Sequence, residues 1–200
     1  MAVIEFFLGI WGYIEPVLWI ASIATALWVF FNDPIRRARF LGYIPTAVPV
    51  VFDRGEGKVL ICKLKNRDLW ILPQGRIEES LLDSVREVLF RELGLERAYK
   101  LLFSETLGVI KMRNEYRMRK FRDSSEFTLA RSWRGKAYVA FFVESSESAL
   151  AKELEAEFLY EAVRFVSLEE AQELLCQGHR AEKKELYQRI LTSLRNELED

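Results

Sequence analysis

Residues 70–95 are WILPQGRIEESLLDSVREVLFRELGL, and this stretch decides the fold. The apolar residues from Leu69 to Leu72 follow a polar turn and predict a short strand. A loop containing Gly75 comes next. Residues Leu81 to Leu93 then predict a helix, and Gly94 ends it because glycine tolerates the left-handed conformation of a helix C-terminus.

The flanking sequence predicts further strands and helices around this segment. Two apolar runs, AVPVVF and KVLICKL, surround the turn DRGEG at 53–57 and indicate a β-hairpin. Longer strands are predicted at 100–111 and 136–143, and a short one at 162–166. Ser167 is the expected N-cap of a following helix, with Glu170 completing a capping box. A last helix is predicted from Ala181 to Glu197, apolar at Leu186, Ile190, Leu191 and Leu194.

The stretch at 70–95 resembles the signature segment of the Nudix hydrolase superfamily, a glycine loop followed by a helix that carries R-E-U-x-E-E-x-G-U, where U is bulky and aliphatic. WRGKAYVAFFVE at 133–144 resembles the central strand of that family, and EAVRFVSLEEAQELL at 161–175 its closing strand and helix. The likeness covers about residues 46–195. It implies an α+β fold, an α/β/α sandwich with a mixed sheet.

The resemblance implies a hydrolase that cleaves a diphosphate linked to another group, with Mg²⁺ or Mn²⁺ held by glutamates on one face of the helix. This sequence departs from that pattern, because Gly75 and Gly94 are 19 positions apart, two fewer than in the family. Aligned from Gly94, the three helix positions are Val88, Arg91 and Glu92. Aligned on Arg86 and Glu87, they are Glu87, Phe90 and Arg91, and the earlier family glutamate falls on Leu81. Either alignment keeps one carboxylate of the three.

Glu92 and Glu87 are therefore the candidate catalytic and metal-binding residues. Five positions apart on an α-helix, their side chains point about 140° apart, and only a π-bulge would bring them together. The alternative for Glu87 is an ion pair with Arg91 one turn later. Gly75, Arg134 and Arg119 are the candidates for substrate binding.

Two functions follow from this sequence. The first is a metal-dependent hydrolase of nucleoside diphosphate derivatives or capped RNA ends. The second is a catalytically inactive Nudix-fold domain that binds a ligand or serves as a scaffold in a membrane complex or a homodimer.

Residues 111–136 form a basic segment, KMRNEYRMRKFRDSSEFTLARSWRGK, with nine basic and three acidic residues and with aromatic residues interleaved. Such a segment is suited to the phosphates and bases of a nucleotide. It is equally suited to anionic lipid headgroups, and an ordinary solvated surface is the third interpretation.

The residues at 6–31, FFLGIWGYIEPVLWIASIATALWVFF, carry one charge, Glu15, and are long enough to cross a bilayer. Arg36, Arg37 and Arg39 follow, and no basic residue precedes the stretch, which places the N-terminus outside and the larger domain in the cytoplasm. The sequence thus predicts a single-pass membrane protein with an anchor at 1–31, a basic linker at 32–45 and a Nudix-like domain at 46–200. The alternative is a helix buried in a globular protein.

The composition excludes several kinds of site. A formal net charge of −1 gives no general attraction to nucleic acid. His179 is the only histidine, which rules out a multi-histidine metal centre. Cys62 and Cys176 lack metal or redox spacing and are expected to be reduced.

Overall fold

The computed structural model describes residues 16–28, 32–96, 99–111, 134–150 and 160–199. The chain divides into two compact units, Met1–Leu41 and Gly42–Asp200. In the first unit, residues 16–28 are helical and expose most of their apolar side chains. A short helix, α1 (Pro34–Phe40), follows and is capped by Asp33, whose side chain accepts hydrogen bonds from the N–H groups of Ile35 and Arg36.

Within the described residues, no helix has the length and apolar character needed to cross a membrane. Half of the predicted span at 6–31 lies outside those residues, and the span stays a prediction. Residues 32–45, expected to be a linker, contain α1 and the first residues of the strand that begins at Tyr43.

The second unit is built on a mixed sheet. Its strands are β1 (Tyr43–Asp53), β2 (Lys58–Leu64), β3 (Trp70–Ile71), β4 (Gly75–Arg76), β5 (Lys100–Lys111), β6 (Gly135–Glu144) and β7 (Tyr160–Ser167). The helices are α2 (Leu81–Leu93), α3 (Glu147–Leu150), α4 (Leu168–Cys176) and α5 (Ala181–Glu199).

The central pair of the sheet, β1 and β6, is parallel, and the other pairings are antiparallel. β5 pairs with the outer side of β6, while β2 pairs with β1 at Phe52 and Val59 through the predicted hairpin. β7 pairs with β2, and the short strands β3 and β4 pair with β2 and β1. The predicted α+β fold with a mixed sheet is confirmed.

The side chains of β1 alternate between two buried layers, as the period of a strand requires. Val48, Val50 and Phe52 pack with the apolar residues of α4 and α5. The α2 residues Val85, Val88, Leu89 and Leu93 are buried outside that cluster. The sheet thus lies between α2 on one face and α4 with α5 on the other.

Most predicted elements are confirmed with ends that shift by one or two residues, but β1 begins at Tyr43, four residues before the predicted apolar run. α2 has its predicted bounds, and Gly94 has the left-handed φ of 70° expected of a C-terminal glycine. Ser167 caps α4 by accepting the N–H of Glu170, but the Glu170 carboxylate forms an ion pair with Arg164 at 2.9 Å.

Candidate functional site

Gly75 and α2 are in close contact, and this contact identifies the face of the helix that points toward the glycine loop. A Cβ atom on Gly75 would lie 2.2 Å from Cγ2 of Val88 and 3.7 Å from Nη2 of Arg91. Only glycine therefore fits here without a shift of Val88. Glu92, which follows Arg91, bonds to the neighbouring Gln74. The face toward the loop presents Val88, Arg91 and Glu92, as in the alignment from Gly94.

Glu92 is half-buried, and its Oε2 atom accepts two hydrogen bonds from the protein. The Gln74 N–H donates at 3.1 Å, and the hydroxyl of Tyr160, the first residue of β7, donates a second, short bond. Burial raises the pKa of Glu92, and these two bonds, with the charges of Arg91 and Lys136, oppose the rise. Structural donors thus already occupy one oxygen, Oε2, of the one carboxylate at the loop.

Glu87 lies on the exposed side of α2. Its Oε1 atom is 3.1 Å from Nη1 of Arg91, the ion pair that the sequence offered as the alternative. The helix is α-helical from Leu81 to Leu93 with no π-bulge, so Glu87 and Glu92 point about 140° apart. The structure does not bring the two candidate metal ligands together.

A divalent cation needs several oxygen ligands around one point. No group of three Asp, Glu, His or Cys side chains in the described ranges lies close enough to hold one. Of the three side chains that face the loop, Glu92 is a carboxylate, Arg91 carries a fixed positive charge and Val88 is apolar. This donor set does not fit the Mg²⁺ or Mn²⁺ that the resemblance implies.

The candidate substrate-binding residues are separated from one another in what the structure describes. Gly75 lies under α2, while Arg134 is exposed and its backbone N–H donates to the Gly42 carbonyl at 2.6 Å. Arg119 and residues 112–133 of the basic segment lie outside the described residues. Their predicted contacts with a nucleotide or a lipid stay predictions.

Lys183, in the first turn of α5, was not among the predicted site residues. Its Nζ atom donates to Oε1 of Gln74 at 3.1 Å and lies 4.0 Å from the centre of the Tyr138 ring and 4.8 Å from that of Tyr187. Burial, reinforced by the charge of Lys136, lowers the pKa of Lys183 to about 7. The helical period carried the signal, because Lys183 is four positions before the buried Tyr187 and so shares its apolar face.

His179 and the two cysteines have structural surroundings. Nε2 of His179 lies 2.8 Å from the Trp70 carbonyl oxygen, the ring packs edge-on against Tyr187, and burial lowers the pKa of the imidazole. Cys62 and Cys176 are free thiols, and burial raises the pKa of Cys62 well above its ordinary value. A buried, protonated thiol is a poor nucleophile.

Comparisons with known proteins agree with this architecture. The family model of the NUDIX domain matches residues 44–190. The binary complex of the C. elegans Ap4A hydrolase has 12% sequence identity and a TM-score of 0.53, with 76% of this chain and 98% of that chain covered. RenU, a Nudix hydrolase from M. smegmatis, has 11% identity and a TM-score of 0.49, with 77% and 86% covered. A NUDIX hydrolase from Nitrosomonas europaea has 12% identity and a TM-score of 0.47, with 76% and 90% covered. No curated protein matches this chain. At 12% identity, the likeness to the C. elegans Ap4A hydrolase structure shows the fold alone.

Proposed function

Because this chain belongs to the NUDIX domain family, we propose that its domain binds a phosphate-bearing ligand, a nucleotide or a related diphosphate ester, without the usual metal cluster. It is then a binding module rather than a hydrolase of the ordinary kind. The supporting observation is the loop-facing side of α2, where Val88, Arg91 and Glu92 supply a single carboxylate.

Electrostatics favour this proposal. Arg91 carries a fixed positive charge that repels a cation at the loop. Its ion pair with Glu87 also neutralises the second acidic residue of the helix. A metal bound through Oε2 of Glu92 would compete with the N–H of Gln74 and the hydroxyl of Tyr160 for their shared acceptor.

A metal-dependent hydrolase is the second candidate, and the position of Glu92 favours it. The carboxylate lies beside the loop of Gln74 and Gly75, and its raised pKa would make it a better proton acceptor than an ordinary glutamate. In this case Mg²⁺ or Mn²⁺ would be needed, and nucleoside diphosphate derivatives or capped RNA ends would be the substrates.

Hydrolysis by the full-length protein in a mild detergent separates the two candidates. Ap4A, a nucleoside diphosphate sugar and a 5′-capped oligonucleotide would be incubated with Mg²⁺, with Mn²⁺ and with EDTA, and the products separated by anion-exchange chromatography. We expect no metal-dependent product, while the same ligands raise the melting temperature in EDTA. Glu92→Gln and the matched Glu87→Gln variant should also form no product, and the ligands should raise their melting temperatures as much as they raise that of the wild type. Metal-dependent turnover that Glu92→Gln abolishes and Glu87→Gln retains would overturn the proposal in favour of the hydrolase.

We also propose that residues 6–31 anchor the protein in a membrane with the N-terminus outside and the larger domain in the cytoplasm. The exposed apolar side chains of 16–28, among them Trp19, Ile20 and Trp28, support this proposal, as do the arginines that follow. A protein that stays in the membrane pellet after alkaline carbonate washing is the expected result. Complete release into the supernatant would contradict it. Crosslinking in the intact membrane would then show whether the protein forms a homodimer or a larger complex.

A further inference from the structure

We infer that the sheet face beneath α5 carries a metal-free phosphate site, in which Lys183, Lys136 and Arg76 supply the positive charge. The inference rests on the proposed function and names the side chains that would receive the ligand. The ligand class is a phosphate or diphosphate group, which either a soluble molecule or a lipid headgroup can present.

Strand register places these residues on one face. Thr46 of β1 is directly opposite Arg76 of β4 on one side and Tyr138 of β6 on the other. Residues directly opposite one another share a face of the sheet, so Arg76 lies on the face of Tyr138. Lys136 is two residues before Tyr138 on the same strand and lies on that face as well. Tyr138 belongs to the core beneath α5, the helix that carries Lys183.

Lys183 has no acidic partner in the described parts of the chain, where no carboxylate oxygen comes within 4.0 Å of its ammonium group. Its neighbours are a neutral amide, Gln74, and the faces of Tyr138 and Tyr187. The charge of Lys136, of the same sign, lowers the pKa of Lys183 further. The ammonium group of Lys183, a half-buried residue, therefore has no counter-charge in the described chain, and an oxyanion would supply one.

An oxyanion suits this position chemically. The ammonium group has three donors, and Gln74 takes one of them, which leaves two for phosphate oxygens. Lys136 and Arg76, which also interact with other residues of the chain, would add positive charge near the phosphate. Glu92 interacts electrostatically with Lys136 but is already held by Tyr160 and Gln74. Glu92 is therefore not the counter-ion of Lys183.

Pyrophosphate binding by the full-length protein in a mild detergent tests the site. Calorimetry in excess EDTA would compare the wild type with Lys183→Met, which keeps the apolar stem and removes the charge. The matched control is Lys184→Met, the next lysine on α5, which makes no contact with Gln74 or the tyrosine rings in the described structure. We expect pyrophosphate to bind without metal, about tenfold more weakly to Lys183→Met and within about twofold of the wild type to Lys184→Met.

A second arm identifies the source of the phosphate. The protein would be reconstituted with phosphatidylcholine vesicles with or without a phosphoinositide, and the lipid crosslinked to the protein with a photoactivatable headgroup. Crosslinking that both pyrophosphate and Lys183→Met reduce assigns the site to lipid phosphate. Pyrophosphate binding that depends on Lys183, without such crosslinking, assigns it to a soluble ligand. If Lys183→Met changes neither signal, the inference is overturned.

The two proposals fail in different ways. Pyrophosphate binding in EDTA that is insensitive to Lys183→Met would remove the site from the α5 face and leave the binding function intact. Metal-dependent hydrolysis that Glu92→Gln abolishes would overturn the proposal that the domain only binds its ligand. The phosphate site at Lys183 would then be tested by whether Lys183→Met weakens substrate affinity about tenfold.

Discussion

Glu92 and Lys183 lie on opposite sides of the sheet, yet both are bonded to Gln74. The backbone N–H of Gln74 donates to Glu92, and the side-chain oxygen of Gln74 accepts from Lys183. Glu92 has a second strong donor in Tyr160, whereas Lys183 has two aromatic faces and a neighbouring lysine. The acidic group of the signature helix is therefore held by two hydrogen bonds from the fold, while the basic group on the other face keeps charge that the described chain does not neutralise.

The largest expected effect comes from Gly75, which holds the loop of Gln74 against α2. A Cβ atom in Gly75→Ala would lie 2.2 Å from the stiff Val88 side chain, so the loop or the helix must move. We expect the free energy of unfolding to fall by about 2 kcal/mol, measured by urea denaturation. Glu92 and Lys183 would then lose the partner that they share.

Two variants control this measurement. In Gly55→Ala the nearest neighbour of the new Cβ atom is Oδ1 of Asp53 at 3.4 Å, an ordinary contact, and stability should change by less than about 0.5 kcal/mol. In a Val88→Ala background, Gly75→Ala should cost much less than it does alone. Equal costs in both backgrounds would show that contact with Val88 is not the reason for glycine here.

Substitution of Lys183 should change the free energy of unfolding by a smaller amount, which depends on pH. Its pKa is about 7 in the folded protein against an ordinary 10.5, so between these values the unfolded chain binds a proton that the folded protein releases. Stability therefore rises with pH from about 7 to about 10 in the wild type. Lys183→Met should flatten this rise and, without ligand, stabilise the protein at pH 7 by about 1 kcal/mol.

The titrating neighbours determine how this measurement is controlled. Lys136 on β6, His179 before α5, and the tyrosines 138 and 187 face or adjoin Lys183, and Lys184 follows it. Burial raises the pKa of Tyr138 to about 12 and lowers that of His179, so neither titrates in the middle of the window. Urea denaturation at pH 7 and 9 compares Lys183→Met with Lys184→Met. A wild-type rise that Lys183→Met retains would assign the proton to another group.

The fold was predictable from the sequence because its signals are local. Gly94, Ser167 and the apolar period of 186–194 each set an element end or a buried face through neighbours within a few residues. The resemblance of the signature segment added the mixed sheet between layers of helices. Arg76 and Lys136 were not recognisable as neighbours, since only strand register brings them onto one face with Tyr138.

The site was predictable only in part, because its deciding contacts are distant in sequence. The sequence alone shows that α2 has fewer carboxylates than the family pattern requires. The ion pair of Glu87 with Arg91 follows from their spacing on a helix. That Tyr160 holds Glu92, across 68 positions, could not be predicted. The same applies to Gln74 and Lys183, which are 109 positions apart.

Substitution of Arg91 should have the smallest effect on stability, and it tests the contrast between Glu92 and Lys183 most directly. Arg91→Glu removes an exposed ion pair, which should lower the free energy of unfolding by only a few tenths of a kcal/mol. It also replaces the fixed positive charge at the loop with a carboxylate next to Glu92. We therefore expect weak Mn²⁺ binding, with a dissociation constant on the order of 1 mM, to appear in the electron paramagnetic resonance spectrum.

Arg86→Glu is the matched control for this variant. It makes the same change of charge on the same helix, at a residue that pairs with Asp83 near the first turn. Arg86→Glu should gain no Mn²⁺ affinity, because position 86 does not face Glu92 and the loop of Gly75. If the wild type and Arg86→Glu bind Mn²⁺ as tightly as Arg91→Glu, α2 already provides a metal site and the contrast between Glu92 and Lys183 fails. If only Arg91→Glu binds, one arginine separates the binding form of this helix from a metal-binding one.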